Sequence, residues 1–165
     1  MISETRTIPL SRGLSATVDA ADYDALGAFK WHAQTHHNTF CAARNAIMKN
    51  GKRGIVYMHR VIMGEPVGMV VDHIDRNPLN NRRSNLRLCS TAENSRNRVS
   101  AKRSTSQYLG VSRCGKQWQA GIRILGKKVN LGVFANGIDA ARAYDAAARK
   151  HHGEFANPNF KDVQP

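Results

Sequence analysis

The chain has 165 residues, enough for one domain or two small ones, and its 41% hydrophobic content excludes wholesale disorder. Against 12 Asp+Glu stand 25 Lys+Arg, a net charge of +13 that calls for a polyanionic partner. No apolar run approaches the roughly 18 residues that span a bilayer, which excludes a membrane-spanning class.

The start, Met1-Ile2-Ser3-Glu4-Thr5-Arg6, lacks the apolar core of a secretory signal. Cys41, Cys89 and Cys114 are odd in number and form no CxxC pair. That composition argues against a disulfide framework and for a reducing compartment. The charge is uneven. Residues 1–50 carry 5 basic and 4 acidic side chains, residues 51–104 carry 11 and 4, and residues 105–165 carry 9 and 4. The first segment is therefore nearly neutral, and the polyanion is expected to meet the rest. A cationic membrane helix needs a broad apolar stripe opposite its charge. Here the arginines lie among Asn, Ser and Asp, so nucleic acid is the better partner.

Residues 6–31 hold short β-like runs such as Leu14-Ser15-Ala16-Thr17-Val18. A short helix is expected next, with Asp22 as N-cap before Tyr23, Leu26 and Phe29. His32, His36, His37 and Cys41 are potential zinc ligands by type, but their polar surroundings read more easily as a hairpin and its loop. Trp31, Phe40 and Tyr57 read as packing residues.

The informative stretch runs from Val70 to Asn94. An apolar run leads into Asp72-His73, and a loop rich in Asn, Asp and Pro follows. Leu86-Arg87-Leu88 reads as a second strand. Ser90-Thr91-Ala92-Glu93 fits a capping box, so a helix is predicted from about Thr91 with Asn94 in its first turn. The predicted order is strand, long loop, strand, helix.

With Asn85 twelve residues after His73 and Asn94 nine further on, the pattern resembles the HNH nucleases, in the phage homing variant whose last His is Asn. The resemblance covers roughly residues 57–98, from His59-Arg60 to Asn97-Arg98. It implies a ββα module that clasps one divalent cation, Mg²⁺ or alternatively Mn²⁺, and hydrolyses DNA phosphodiesters. In that reading His73 is the general base and Asn85 braces the loop and orients it. Asp72 and Asn94 offer oxygen ligands suited to a hard cation. His59 is a candidate contact to metal or phosphate, or else a packed helix residue. Arg82, Arg83, Arg87, Arg96 and Arg98 are candidate phosphate contacts. Adjacent strand residues point to opposite faces. Asp72 and His73 therefore sit at a strand end or bulge, or act on either side of the phosphate.

Residues 99–107 are polar and basic and read as a linker. Three alternating segments follow: 108–113, 117–124 and, after a tight turn at Leu125-Gly126, 127–134. In the second, Trp118, Ala120, Ile122 and Ile124 share a face opposite Gln117, Gln119, Gly121 and Arg123. In the third, Val129, Leu131 and Val133 are expected to oppose Lys128, Asn130 and Gly132. A helix from Ile138 to about His151 presents Ala140, Ala141, Tyr144, Ala147 and Ala148 at helical spacing. A three-stranded antiparallel sheet packed on one helix is expected over residues 108–160.

The marks Tyr108-x-Gly110-Val111, Leu131-Gly132-x-Phe134 and Ala140-Ala141-x-Ala143-Tyr144-Asp145 resemble the plant ethylene-response-factor type of DNA-binding domain. That family reads the major groove with its sheet. By position Arg123 and Lys128 match its groove-facing basic residues, and Arg113, Gln117, Gln119, Lys127 and Asn130 are further candidate DNA contacts. Leu109, Ser112 and Asn130 stand where plant members usually carry Arg or Trp, so site preference does not transfer.

The whole reads as an α+β, two-module DNA endonuclease of 1–98 and 108–160, a site-preferring nickase or homing-type enzyme. Its expected partner is double-stranded DNA, with no membrane, and its expected state is monomer or weak dimer. The alternative from another class is a non-catalytic DNA-binding regulator that keeps the nuclease fold as scaffold.

Overall fold

Alternation of small apolar and polar residues builds the first hairpin. In the computed structural model, which describes residues 4–36, 39–95 and 105–160, β1 (Thr5–Pro9) pairs antiparallel with β2 (Ser15–Asp19). Ala16 and Val18, two apart on β2, are fully buried. His37, Arg96, Asn97, Arg98 and most of the expected linker lie outside the described residues. The chain divides into two units, 1–91 and 92–165.

In the first unit, α1 (Ala20–Gly27) follows β2 directly. It starts three residues before the expected position, because β2 delivers Ala20 and Ala21, strong helix formers, straight into the first turn. Asp19, not Asp22, holds the N-cap position, and its side chain makes no capping bond. A meander follows, with β3 (His32–His36), β4 (Thr39–Ile47) and β5 (Arg53–Tyr57) antiparallel in that order. Next come α2 (Met58–Ile62) and the hairpin of β6 (Val70–His73) with β7 (Leu86–Cys89). Ile8, Ala16, Val18, Leu26, Trp31, Ala42, Met58, Ile62, Val71 and Leu86 form one core. The N-terminal segment and the β6–β7 hairpin therefore share a single hydrophobic interior. The single turn α3 (Thr91–Asn94) begins at Thr91, where the capping signal puts it, and its other three residues belong to the second unit.

The second unit is an antiparallel sheet of order β10-β9-β8, built from β8 (Val111–Cys114), β9 (Gln117–Ile124) and β10 (Lys127–Phe134). Leu125 and Gly126 join β9 to β10 with φ of 47° and 81°, the two left-handed residues of a tight hairpin turn. Helix α4 (Gly137–His152) lays its fully buried Ala140 and Ala141 against Val111 and Ala120 of the sheet, with Trp118, Leu131 and Phe134 packed around them. Asn136 caps it, its Oδ1 accepting from Asp139 N at 2.9 Å.

The third strand departs from the expected alternation. Asn130 pairs with Gly121 but Gly132 pairs with Ala120, so Leu131 is an extra residue in a β-bulge, and Asn130 Oδ1 accepts from Gly132 N at 3.1 Å. Past the bulge every side chain changes face. Phe134 opposes Trp118 on the helix side, whereas Val133 opposes Gln119 and is exposed.

Asp145 shows what ties the C-terminal stretch to this unit. Its buried carboxylate accepts from Asn159 N at 2.7 Å, Asn159 Nδ2 at 3.0 Å and Phe160 N at 2.9 Å. Phe160 in turn packs on Tyr108, ring centres 5.6 Å apart. Asp145→Ala strands these donors and is expected to cost about 3 kcal/mol of the second unit's stability. A fall in its urea midpoint measures this, and an unchanged midpoint contradicts the clasp.

Candidate active site

Asp72 and His73 are the last two residues of β6, and both are buried. Strand geometry turns them to opposite faces. Asp72 pairs across the hairpin with Arg87, whose Nε and Nη2 donate to its Oδ2 at 3.0 and 2.8 Å. His73 lies on the other face with Val71, opposite Leu86. The strand end thus offers a carboxylate on one side and an imidazole on the other.

The loop that returns to β7 is held by its own polar side chains. Asn85, expected to brace it, does so through three bonds. Its Oδ1 accepts from Asp75 N at 3.0 Å, and its Nδ2 donates to Asp75 Oδ1 at 2.9 Å and Asn80 O at 2.7 Å. The orienting contact expected of Asn85 is made by another residue: with both its amide hydrogens used on the loop, the side chain that meets His73 Nε2 is Asn81, whose Oδ1 lies 3.4 Å away.

Asp75, which the sequence reading missed, is the hub of this loop. It accepts from Asn77 N at 2.8 Å and Asn80 Nδ2 at 2.7 Å besides Asn85. Burial works to raise its pKa, but the bonds from Asn77, Asn80 and Asn85 prevail and hold it below the usual carboxylate range. Its contribution to the loop is present above the ordinary Asp value and is lost as the pH falls through the lower folded one. Asp75-x-Asn77 is a turn-forming pair, the one local signal that marked it.

Burial pushes the His73 imidazole below 6.5, against opposing pulls from the Asn81 bond and from the Asp75 and Asp72 charges. A neutral ring at pH 7 follows, able to accept a proton. His59, on α2, stands edge-on to it, ring centres 5.1 Å apart, and stacks on Tyr57 at 5.5 Å.

The arginines divide. Arg87 is engaged with Asp72. Arg83, expected at phosphate, is chelated by Asp22, with bonds of 2.9 and 2.7 Å, while its backbone N donates to Asp19 Oδ2 at 2.8 Å. Arg82 Nε donates to Asn80 Oδ1 at 3.0 Å. Asn94 closes α3 and is half-buried. Among the described residues no three His, Cys, Asp or Glu side chains gather into a cluster. The oxygen donors put forward for a cation are one carboxylate and one carboxamide, a set that fits a hard divalent ion keeping most of its waters. A carboxylate carries about four acceptor positions, so Asp72 can serve Arg87 and a cation together.

In the second unit, register sorts the candidate DNA contacts. Gln117, Gln119 and Arg123 share the outer face of β9, and Lys128 and Asn130 stand opposite Arg123 and Gly121 on that face. Arg113 and Lys127 fall on the other side. Arg113 is two residues from the buried Val111, and its guanidinium lies over Trp118 at 4.3 Å. Lys127 opposes Ile124. Arg123 Nη1 also donates to Gly126 O at 2.8 Å, and Asn130 is occupied with the bulge.

Comparison with known proteins agrees with both units. Residues 56–96 match the HNH endonuclease family model. An uncharacterised HNH endonuclease of Acanthamoeba polyphaga mimivirus is 34% identical over 116 residues, covering 66% of this chain and 60% of that protein. Protein 3.8 of Escherichia phage T7 is 34% identical over 93 residues, 55% of this chain and 76% of its own length. An APETALA2-like protein of rice is 43% identical over 63 residues of the C-terminal region, 36% of this chain and 14% of the plant protein. This chain thus spans only part of the mimiviral and plant relatives. With an Asp-His strand end, an Asn-braced loop and a second strand leading into a helix all inside the matched region, the chain belongs to the HNH endonuclease family, with a C-terminal unit similar to the APETALA2 type.

Proposed function

We propose that this protein is a divalent-cation-dependent DNA endonuclease, with a nuclease module over 1–98, a basic linker at 99–107 and a DNA-gripping module over 108–160. The observation that carries the reading is His73, buried and held neutral at the strand end shared with Asp72. His73 takes the proton from the attacking water. Asp72 and Asn94 hold the cation, Mg²⁺ by preference, with Mn²⁺ as a substitute. When bound, it supplies a positive charge for the scissile phosphate and the departing 3′ oxygen. Asn85 keeps the loop closed so that these groups stay in place. His59, Arg82, Arg96 and Arg98 serve as contacts to phosphate, His59 alternatively to the cation. Gln117, Gln119, Arg123 and Lys128 meet duplex DNA from the outer sheet face. One active site cuts one strand, so a monomer or weak dimer acts as a site-preferring nickase or a homing-type enzyme. No described helix is long and apolar enough to cross a membrane, and the proposed setting is the cytoplasm of a bacterial or phage-infected cell.

One observation favours a second reading, a DNA-binding regulator that keeps this fold as scaffold: Arg87 already neutralises Asp72. Incubating supercoiled plasmid with the full chain separates the two. Relaxation that needs Mg²⁺ and stops with chelator supports the nuclease; binding without cleavage supports the regulator.

The direction of the His73 shift gives a pH prediction. The base works only when neutral, so cleavage rises with pH through its lowered pKa. The acid limb of kcat/KM is expected to have its midpoint below 6.5. A midpoint above 6.5 contradicts this environment for the base.

A further inference from the structure

We infer that Asn81 is a positioning residue that fixes His73 as the Nε2–H tautomer, so that Nδ1 is the nitrogen that takes the proton from water. The catalytic consequence rests on the nuclease reading above; the tautomer assignment itself rests on geometry.

Asn81 is fully buried, and the orientation of its amide is settled by a second contact. Its Nδ2 donates to the carbonyl of Pro78 at 3.3 Å. A carbonyl only accepts, so the amide nitrogen faces Pro78 and the amide oxygen faces His73 Nε2, 3.4 Å away. An amide oxygen also only accepts, so the ring nitrogen opposite it carries the hydrogen. A neutral imidazole has one N–H, which leaves the lone pair on Nδ1. The other tautomer sets two lone pairs against each other in a buried site. The contact is long for a hydrogen bond, so its weight lies in choosing the tautomer rather than in binding strength.

Asn81 is itself pinned from outside the matched family region. Its backbone N donates to Thr17 O at 2.7 Å, and Thr17 N donates to Leu79 O at 2.8 Å. Thr17 lies on β2 between the fully buried Ala16 and Val18. Asp19 and Asp22 hold the same loop through Arg83. The N-terminal hairpin thus sets the imidazole that does the chemistry. Edge-on packing by His59 at 5.1 Å limits rotation of the ring further.

The test uses the full chain, metal-free and ¹⁵N-labelled, with imidazole tautomers read by long-range ¹H–¹⁵N correlation at pH 8 and the His73 signal assigned by its loss in His73→Gln. Wild type is expected in the Nε2–H form. Asn81→Asp loses the donation to Pro78 but keeps an acceptor, and is expected to keep that form. Asn81→Leu is expected to show a mixture, with kcat for plasmid nicking down at least tenfold and KM unchanged, while Asn81→Asp recovers most of the rate. A wild-type His73 in the Nδ1–H form, or a tautomer unmoved in a folded Asn81→Leu, overturns the inference. Should Asn81→Leu fail to fold, the wild-type and Asn81→Asp spectra still decide it. A wild type that keeps the Nε2–H form but never cuts DNA overturns the nuclease reading and not the assignment.

Discussion

His73→Ala is expected to lower metal-dependent plasmid nicking by about 10²- to 10⁴-fold, the range that a positioned general base supplies. The loss should fall on kcat, because the role proposed for the imidazole is on the attacking water and not on DNA affinity. His73 is buried, so the substitution also removes packing against His59 and leaves Asn81 Oδ1 without its ring partner. A stability cost of about 1–2 kcal/mol is expected from that, too little to unfold a domain of ordinary stability. Circular dichroism and a urea midpoint on the same preparation separate the two effects. Nicking retained within threefold in a folded variant removes His73 from the role of base.

The second large effect is expected at Gly110. Its φ is +70°, and a Cβ there would overlap Cδ2 and Cε2 of the Tyr144 ring. The backbone has little room to retreat, because Gly110 O accepts from Gly121 N at 2.8 Å and Leu109 is bonded to Asn159 on both its N and its O. Tyr144 is held in turn on α4. Gly110→Ala therefore combines a left-handed backbone penalty with overpacking, together about 3–5 kcal/mol. The second unit is expected to lose most of its cooperative unfolding transition, and affinity for duplex DNA is expected to fall with it. Salt-dependent binding within twofold of wild type would show that this close approach is not needed.

Local signals carried much of the architecture. The capping box at Ser90–Glu93, the left-handed turn at Leu125-Gly126 and the alanine stripe of α4 each depend on residues within a few positions of one another, and each predicted element formed. The Asp72-His73 strand end was one of the alternatives that strand geometry left open, and the bracing by Asn85 was implied by the family resemblance and not by a local signal. What escaped depends on pairs far apart in the chain. Arg83 reads as a phosphate contact until Asp22, 61 residues earlier, is seen to chelate it. Asn81 carries no local mark of its role, which shows only once Thr17 and His73 are placed on either side of it. The Asp72–Arg87 pair follows from hairpin register, which a twelve-residue loop does not fix. The bulge at Leu131 adds one residue that inverts the alternation behind it, and no propensity marks where such a residue falls. Arg113 was misread for a simpler reason: counting by two from Val111 puts it on the helix side.

Central here is the proposal that Asp72 and Asn94 hold a cation. Anomalous diffraction from a crystal of the full chain soaked in manganese reads it directly. One peak is expected about 2.1 Å from a carboxylate oxygen of Asp72 and from the amide oxygen of Asn94. A map with Asp72 still bonded to Arg87, and manganese nowhere near either oxygen, contradicts it.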